Sequence, residues 1–209
     1  MPSYSLLPAA RRAVAVLATL AATAAATDAS APVPPQFTLH SMVTGLDPGT
    51  GRDGTTYAMT THAGEGRVRF DLPRPDGAEV RLLVDRTTGE GWAFDAAGRD
   101  GLPVQADAVQ QLAVDPAAPC TRMRVTCHRE PPKSIAGIQA DGWRYAGADR
   151  RGPGGSHAGV MWIDPASGII IGYEARTRNR MVRRMRAVSL RVEPVADAVL
   201  EPPPALRGP

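Results

Sequence analysis

The chain has little of several things, and each shortage excludes something. Lys133 is its only lysine, so nearly all positive charge sits on arginine. The formal net charge is only +3 over 209 residues. Arg11, Arg12 and Asp28 fall in the leading segment, and without them the balance drops by one charge. Such a weak field, in a chain with an export signal, argues against a nucleic-acid partner. No apolar stretch reaches the roughly 20 residues that a membrane-spanning helix needs. There is no G-x-S-x-G elbow, and no H-x-x-H, H-x-H or Met-rich repeat. Gly154-Gly155-Ser156-His157-Ala158-Gly159 does place a serine beside a histidine, but neighbours on an extended chain point apart, so a hairpin turn is the expected reading. His40, His62, His128 and His157, with Met42 and Met59 as soft donors, are too scattered to specify a metal site. Asp47 with Asp53, and Asp95 with Asp100, lie in turns where aspartate caps backbone N–H groups. No nucleophile, base and orienting group assemble, so a non-enzymatic protein without cofactor or metal is expected.

Cysteine is almost as scarce. Cys120 and Cys127 are the only two, spaced C-T-R-M-R-V-T-C. In an exported chain that spacing reads first as a local disulfide. A metal site would need more ligands than His128 supplies, and two free thiols remain the other reading.

Export is read from the start of the sequence. Arg11 and Arg12 precede the apolar, uncharged run Ala13 to Ala26, and Ala29-Ser30-Ala31 offers a small-residue cleavage site. Residues 1–31 are thus expected to be a signal peptide and 32–35 a Pro-rich linker. No cysteine stands at the cleavage point to carry a lipid. A single β domain is expected over 36–200, with a disordered Pro-rich tail at 201–209. The expected location is the periplasm, or outside the cell.

What the chain does have is period-two alternation. Phe37, Leu39, Ser41 and Val43 alternate with Thr38, His40, Met42 and Thr44, and Tyr57, Met59 and Thr61 alternate with Ala58, Thr60 and His62. Val68, Phe70 and Leu72 alternate with Arg67, Arg69 and Asp71. Val80, Leu82 and Val84 lead through Thr87-Thr88-Gly89 into Trp92 and Phe94, a hairpin signal. Pro103 to Val114 lacks this alternation and leaves room for one short helix. Pro116, Pro119, Pro131 and Pro132 then make the stretch around the cysteines loop-like. Strands resume at Trp143 and Tyr145, continue through Val160 and Trp162, turn at Asp164 to Gly168, and end with Ile169 to Thr177 and Met181 to Val192. Nine or ten strands with one or two short helices predict a mainly β, antiparallel meander, closed or strongly curved. Leu82 with Leu83, Met161 with Trp162, and Ile169-Ile170-Ile171 put apolar residues on both strand faces. Two apolar faces predict either a covering helix or a ligand cavity on the concave side.

Arg176, Arg178, Arg180, Arg183, Arg184 and Arg186 crowd one expected hairpin. This basic patch suits an acidic protein or an anionic lipid surface, and an arginine-biased composition would also produce it.

Three stretches resemble the LolA-like family of periplasmic lipoprotein carriers and their relatives. They are Phe37 to Val43; Arg67 to Leu72 with Leu82 to Gly89 and Trp92 to Phe94; and Met161 to Ile171 with the closing strand and the Leu200-Glu201-Pro202-Pro203 exit. The resemblance implies a curved half-barrel with a short helical lid over an apolar cavity. It also implies a carrier or sensor that holds an acyl chain of a lipid or lipoprotein. Arg67 or Arg69 is the nearest match to the arginine that family members place on an early strand. The ligand-binding residues expected on these grounds are Arg69, Phe70, Leu82, Trp92, Phe94, Trp162 and Ile170.

Overall fold

A computed structural model describes residues 35–45, 52–73, 77–98, 101–106 and 112–206. The expected signal peptide, Asp47, Asp100 and most of the expected linker lie outside the described residues.

Alternating sequence becomes alternating burial wherever one strand face meets the core. In β1 (Phe37–Gly45), Phe37, Leu39, Ser41 and Val43 are buried while His40 and Met42 are exposed. The same logic builds β2 (Thr55–Ala63), β3 (Arg67–Pro73), β4 (Glu79–Asp85), β5 (Glu90–Asp95) and β6 (Leu102–Gln105). After a long connection come β7 (Cys127–Ile135), β8 (Ile138–Tyr145), β9 (Ala158–Ile163), β10 (Ile170–Arg176) and β11 (Val182–Arg191). One short helix, α1 (Asp197–Leu200), follows.

All eleven strands form one antiparallel sheet in the order β6-β5-β4-β3-β2-β1-β11-β10-β9-β8-β7. It consists of two meanders welded where β1 pairs with β11. The two ends of the order, β6 and β7, are not paired with each other, so the sheet is an open, curved half-barrel.

The turns follow their local chemistry. Asp85 Oδ1 accepts the backbone N–H groups of Thr87 and Thr88 at 2.8 and 2.9 Å, folding β4 into β5. Asp164 does the same between β9 and β10, accepting the Ser167 hydroxyl at 2.5 Å. Gly168 closes that turn at φ 73°, and a Cβ there would stand 2.1 Å from the Val114 carbonyl oxygen. Only glycine fits both demands.

Two expectations need correction. Pro103 to Gln105, the start of the stretch expected to leave room for a short helix, belong instead to the edge strand β6, paired with β5 through Gly91–Val104 and Trp92–Pro103. The proline breaks no ladder there because an edge strand has one unpaired side. Pro131 and Pro132 are likewise not in a loop but within β7, at a register shift between Glu130 and Lys133 on the opposite edge. Within the expected tail, Pro204–Leu206 forms a 3-10 turn and Leu206 packs against the Leu83, Phe94 and Leu200 cluster.

The connection from β6 leads to β7, the opposite edge strand. Its described part, from Leu112, bridges Ala113 to Ile169 and buries Cys120 and Met123 in the main core. That core also contains Phe37, Leu39, Met161, Ile163, Ile171 and Tyr145. The Cys120–Cys127 disulfide spans a Cα separation of 6.0 Å and ties the connection to the start of β7.

The outer face is dressed separately. Leu83 and Phe94 are covered by Leu200, Val195 and Leu206 from the C-terminal segment. Arg69 Nη1 donates to the Val199 carbonyl at 2.9 Å, Arg67 Nη1 reaches the Leu200 carbonyl at 3.4 Å, and Gln36 Oε1 accepts the Val195 N–H. This strap explains half of the dual apolar pattern. The other half is a cavity.

Candidate ligand cavity

Directly paired residues in an antiparallel sheet point to the same side. The pairs Leu39–Thr61, Thr61–Phe70 and Phe70–Leu82 therefore run as one row across the concave face of β1 to β4. The pairs Val43–Met185 and Met185–Tyr173 continue that face through β11 to β10. Curvature brings the two halves towards each other around a cavity of about 270 Å³.

Leu39, Met59, Phe70, Leu72, Leu82, Ile170 and Met185 supply its apolar wall. Leu112, Ala106 and the backbone of Pro153 and Gly154 bound it from the loop side. Gly154 has φ 64°, and a Cβ on it would lie 2.8 Å from the Tyr173 hydroxyl. A side chain here would push the 3-10 turn Pro153–Gly155 off the phenol and change the cavity wall.

The polar residues among those lining it are Tyr57, Thr61 and Tyr173. Burial, together with the neighbouring phenols of Tyr57 and Tyr145, pushes the Tyr173 hydroxyl above its ordinary pKa, so it stays neutral. Behind it, Tyr145 is held by Ser156 at 2.5 Å, and burial raises its pKa to about 12. The Thr61 side chain is fully buried, and its hydroxyl has no hydrogen-bond partner.

The structure divides the expected ligand residues. Phe70, Leu82 and Ile170 line the cavity. Arg69, Trp92, Phe94 and Trp162 do not. Trp92 pairs with Leu83, and Leu83 with Arg69, so this row faces outward, under or beside the strap. Phe94 pairs with Arg81 on that outer face and packs with Leu83 and Leu200. Trp162 is also turned outward, where Lys133 Nζ lies 4.3 Å from its ring. Arg67 and Arg69 hold the C-terminal strap. Sequence reading missed Leu39, Tyr57, Met59, Thr61, Tyr173 and Met185 as cavity residues. Their alternation was visible, but the pairing register that selects the cavity row was not.

The basic patch is likewise split. Arg183 turns to the concave side and binds Asp53, while Arg178 pairs with Asp149 at 3.1 Å. Arg180 stands in the turn with φ 62°. Arg176, Arg184 and Arg186 are exposed on the outer face. Arg184 pairs across the ladder with Glu174, and Arg186 with the exposed Met42.

Thr38, His62 and Asp71 form a hydroxyl–imidazole–carboxylate row on the outer face. The two contacts are 3.4 Å each. Such long contacts are weak, and Asp71 is already engaged by Arg69 at 2.7 Å. The row lies beside the C-terminal strap, which Arg69 also contacts. Among the described residues, no group of three or more His, Cys, Asp or Glu could hold a metal ion, and no helix is long and apolar enough to cross a membrane.

No protein-family model matches this sequence, and no curated protein matches it. Solved structures to which it is similar include a Pseudomonas aeruginosa MucA/MucB complex, at 16% identity over 81% of this chain with a TM-score of 0.48. The chain spans only 56% of the length of that match. A LolA superfamily protein from Nitrosomonas europaea is similar at 10% identity, covering 81% of this chain and 91% of that one, with a TM-score of 0.38. The Mycobacterium tuberculosis lipoprotein LppX is similar at 15% identity, covering 76% and 88%, with a TM-score of 0.43.

Proposed function

We propose that this protein is an exported, periplasmic binding protein that holds an apolar ligand, such as one acyl chain of a lipid or lipoprotein, in the concave cavity. The observation that carries this reading is the 270 Å³ space walled by Phe70, Leu72, Leu82, Ile170 and Met185. Small-molecule sites occupy roughly 300–1,000 Å³, are mostly apolar and carry a few placed polar groups. At about 270 Å³ this cavity falls just below that range, which favours one slender chain over a many-chained lipid. Each methylene moved from water into such a wall gains about 0.8 kcal/mol.

The test uses the fluorescent probe phenylnaphthylamine and its displacement by fatty acids. The protein should bind the probe, and Leu82→Trp, which fills the cavity, should reduce binding at least tenfold. Trp92→Ala, on the outer face, should leave it unchanged. Equal loss in both variants, or no binding by the parent protein, would overturn the reading.

A second reading rests on a different observation. Arg176, Arg184 and Arg186 are exposed beside Met42 and Val188, which are 43% and 62% exposed. This outer face suits an acidic protein or an anionic lipid surface. Arg184→Glu with Arg186→Glu should abolish salt-sensitive sedimentation with phosphatidylglycerol vesicles; sedimentation unaltered by charge reversal would remove this reading.

A further inference from the structure

Thr61 occupies the middle of the cavity row, paired with Leu39 on one side and Phe70 on the other. Its side chain lines the cavity and is wholly buried. Its hydroxyl oxygen has no partner, although the protein satisfies comparable groups nearby. The buried Ser156 hydroxyl, for one, meets Tyr145 at 2.5 Å. Leaving a buried hydroxyl unsatisfied destabilises the fold, and native interiors carry few such groups. Valine has nearly the same shape and would fit this apolar row at no such cost. Across the cavity, Tyr173 presents a phenol that burial keeps protonated and able to donate.

We infer that the ligand is not a plain hydrocarbon. It carries a hydrogen-bonding oxygen, as in a hydroxyl or an ester carbonyl, that lies within the apolar cavity and is recognised by Thr61. This rests on the cavity reading above and narrows it to oxygen-bearing chains. A site built to hydrogen-bond an oxygen rejects an analogue lacking it more strongly than an apolar pocket rejects an added hydroxyl.

The experiment compares n-octanol with n-octane as competitors of phenylnaphthylamine in the parent protein, Thr61→Val and Thr61→Ser. Comparing the octanol-to-octane affinity ratio between proteins cancels the difference in solubility of the two ligands. The ratio should fall about five- to tenfold in Thr61→Val, the equivalent of one matched hydrogen bond. It should be retained in Thr61→Ser, with octane binding undiminished in all three. A ratio equal in the parent protein and Thr61→Val overturns the inference, because a hydroxyl hydrated only by trapped water would behave that way; the cavity reading then still stands on octane binding. Failure of both competitors to displace the probe overturns the cavity reading, and the inference with it.

Discussion

Asp71 sits on the outer face between Arg69, 2.7 Å away, and His62, 3.4 Å away. Burial alone would raise its pKa, but hydrogen bonds from His62 and Arg69 and their charges outweigh that and lower it. A carboxylate whose folded pKa lies below its unfolded value stabilises the fold at neutral pH. That contribution is lost as pH falls from the ordinary carboxylate range, near 4, through the folded value. The urea midpoint of the parent protein should therefore drop below about pH 4. Asp71→Asn should lower stability at pH 7 and flatten part of that acid dependence. A midpoint-against-pH curve parallel to the parent's would contradict the assignment. The consequence reaches further than one ion pair, since Arg69 also donates to the Val199 carbonyl and so fastens the strap. Residue identity was legible here, because Arg67, Arg69 and Asp71 were read as the polar face of β3. The strap carbonyls that Arg67 and Arg69 reach, 133 and 130 positions away in the chain, were not.

The connection from Leu112 to Val125 is an element without regular structure that nevertheless carries core residues. Cys120 is 4% and Met123 3% exposed, and Ile170 N–H donates to the Leu112 carbonyl at 3.0 Å. It is the segment that crosses from one sheet edge to the other and bounds the cavity at Leu112. The disulfide that anchors it closes a loop of sequence separation 7, for which loop entropy gives about 2–3 kcal/mol. Cys120→Ala with Cys127→Ala should lower the unfolding free energy by about that amount. It should also weaken phenylnaphthylamine binding several-fold, because the Leu112 wall loses its tether. Unchanged stability and binding would show that the connection is held without the bond. Local disulfide pairing followed from spacing and export, whereas the role of the bond followed from where the chain had to travel. The two proline-bearing stretches make the same point at this scale. A proline reads as a breaker until it is known to stand on an edge strand, where its missing N–H faces no neighbour.

At the scale of the whole molecule, the sheet presents two faces with separate tasks. The concave face carries the cavity, and the outer face carries the strap over β3 to β5 and the exposed arginines of β10 and β11. Perturbations on opposite faces that share no partner should add independently. Leu82→Trp should thus abolish probe binding while leaving vesicle sedimentation intact, and Arg184→Glu with Arg186→Glu should do the reverse. Loss of both activities in either variant would mean that the faces are coupled or that the variant is misfolded, which its thermal unfolding would reveal.

The sequence by itself determined that the protein is β-rich and antiparallel, where most strands and turns lie, and that both strand faces are apolar. Those are local properties: period-two alternation, aspartate and glycine at turns, and paired cysteines act over a few residues. Which face is which follows from long-range pairing. Leu82 and Leu83 are equally apolar neighbours, yet one meets Phe70 in the cavity and the other meets Leu200 under the strap. Trp92 and Phe94 belong with Leu83 because β5 pairs with β4 in the register Leu83–Trp92, and a shift of one residue would have put both in the cavity. The physical reason is that register, edge position and the β1–β11 pairing are set by contacts between residues far apart in the chain, so no window of sequence contains both partners.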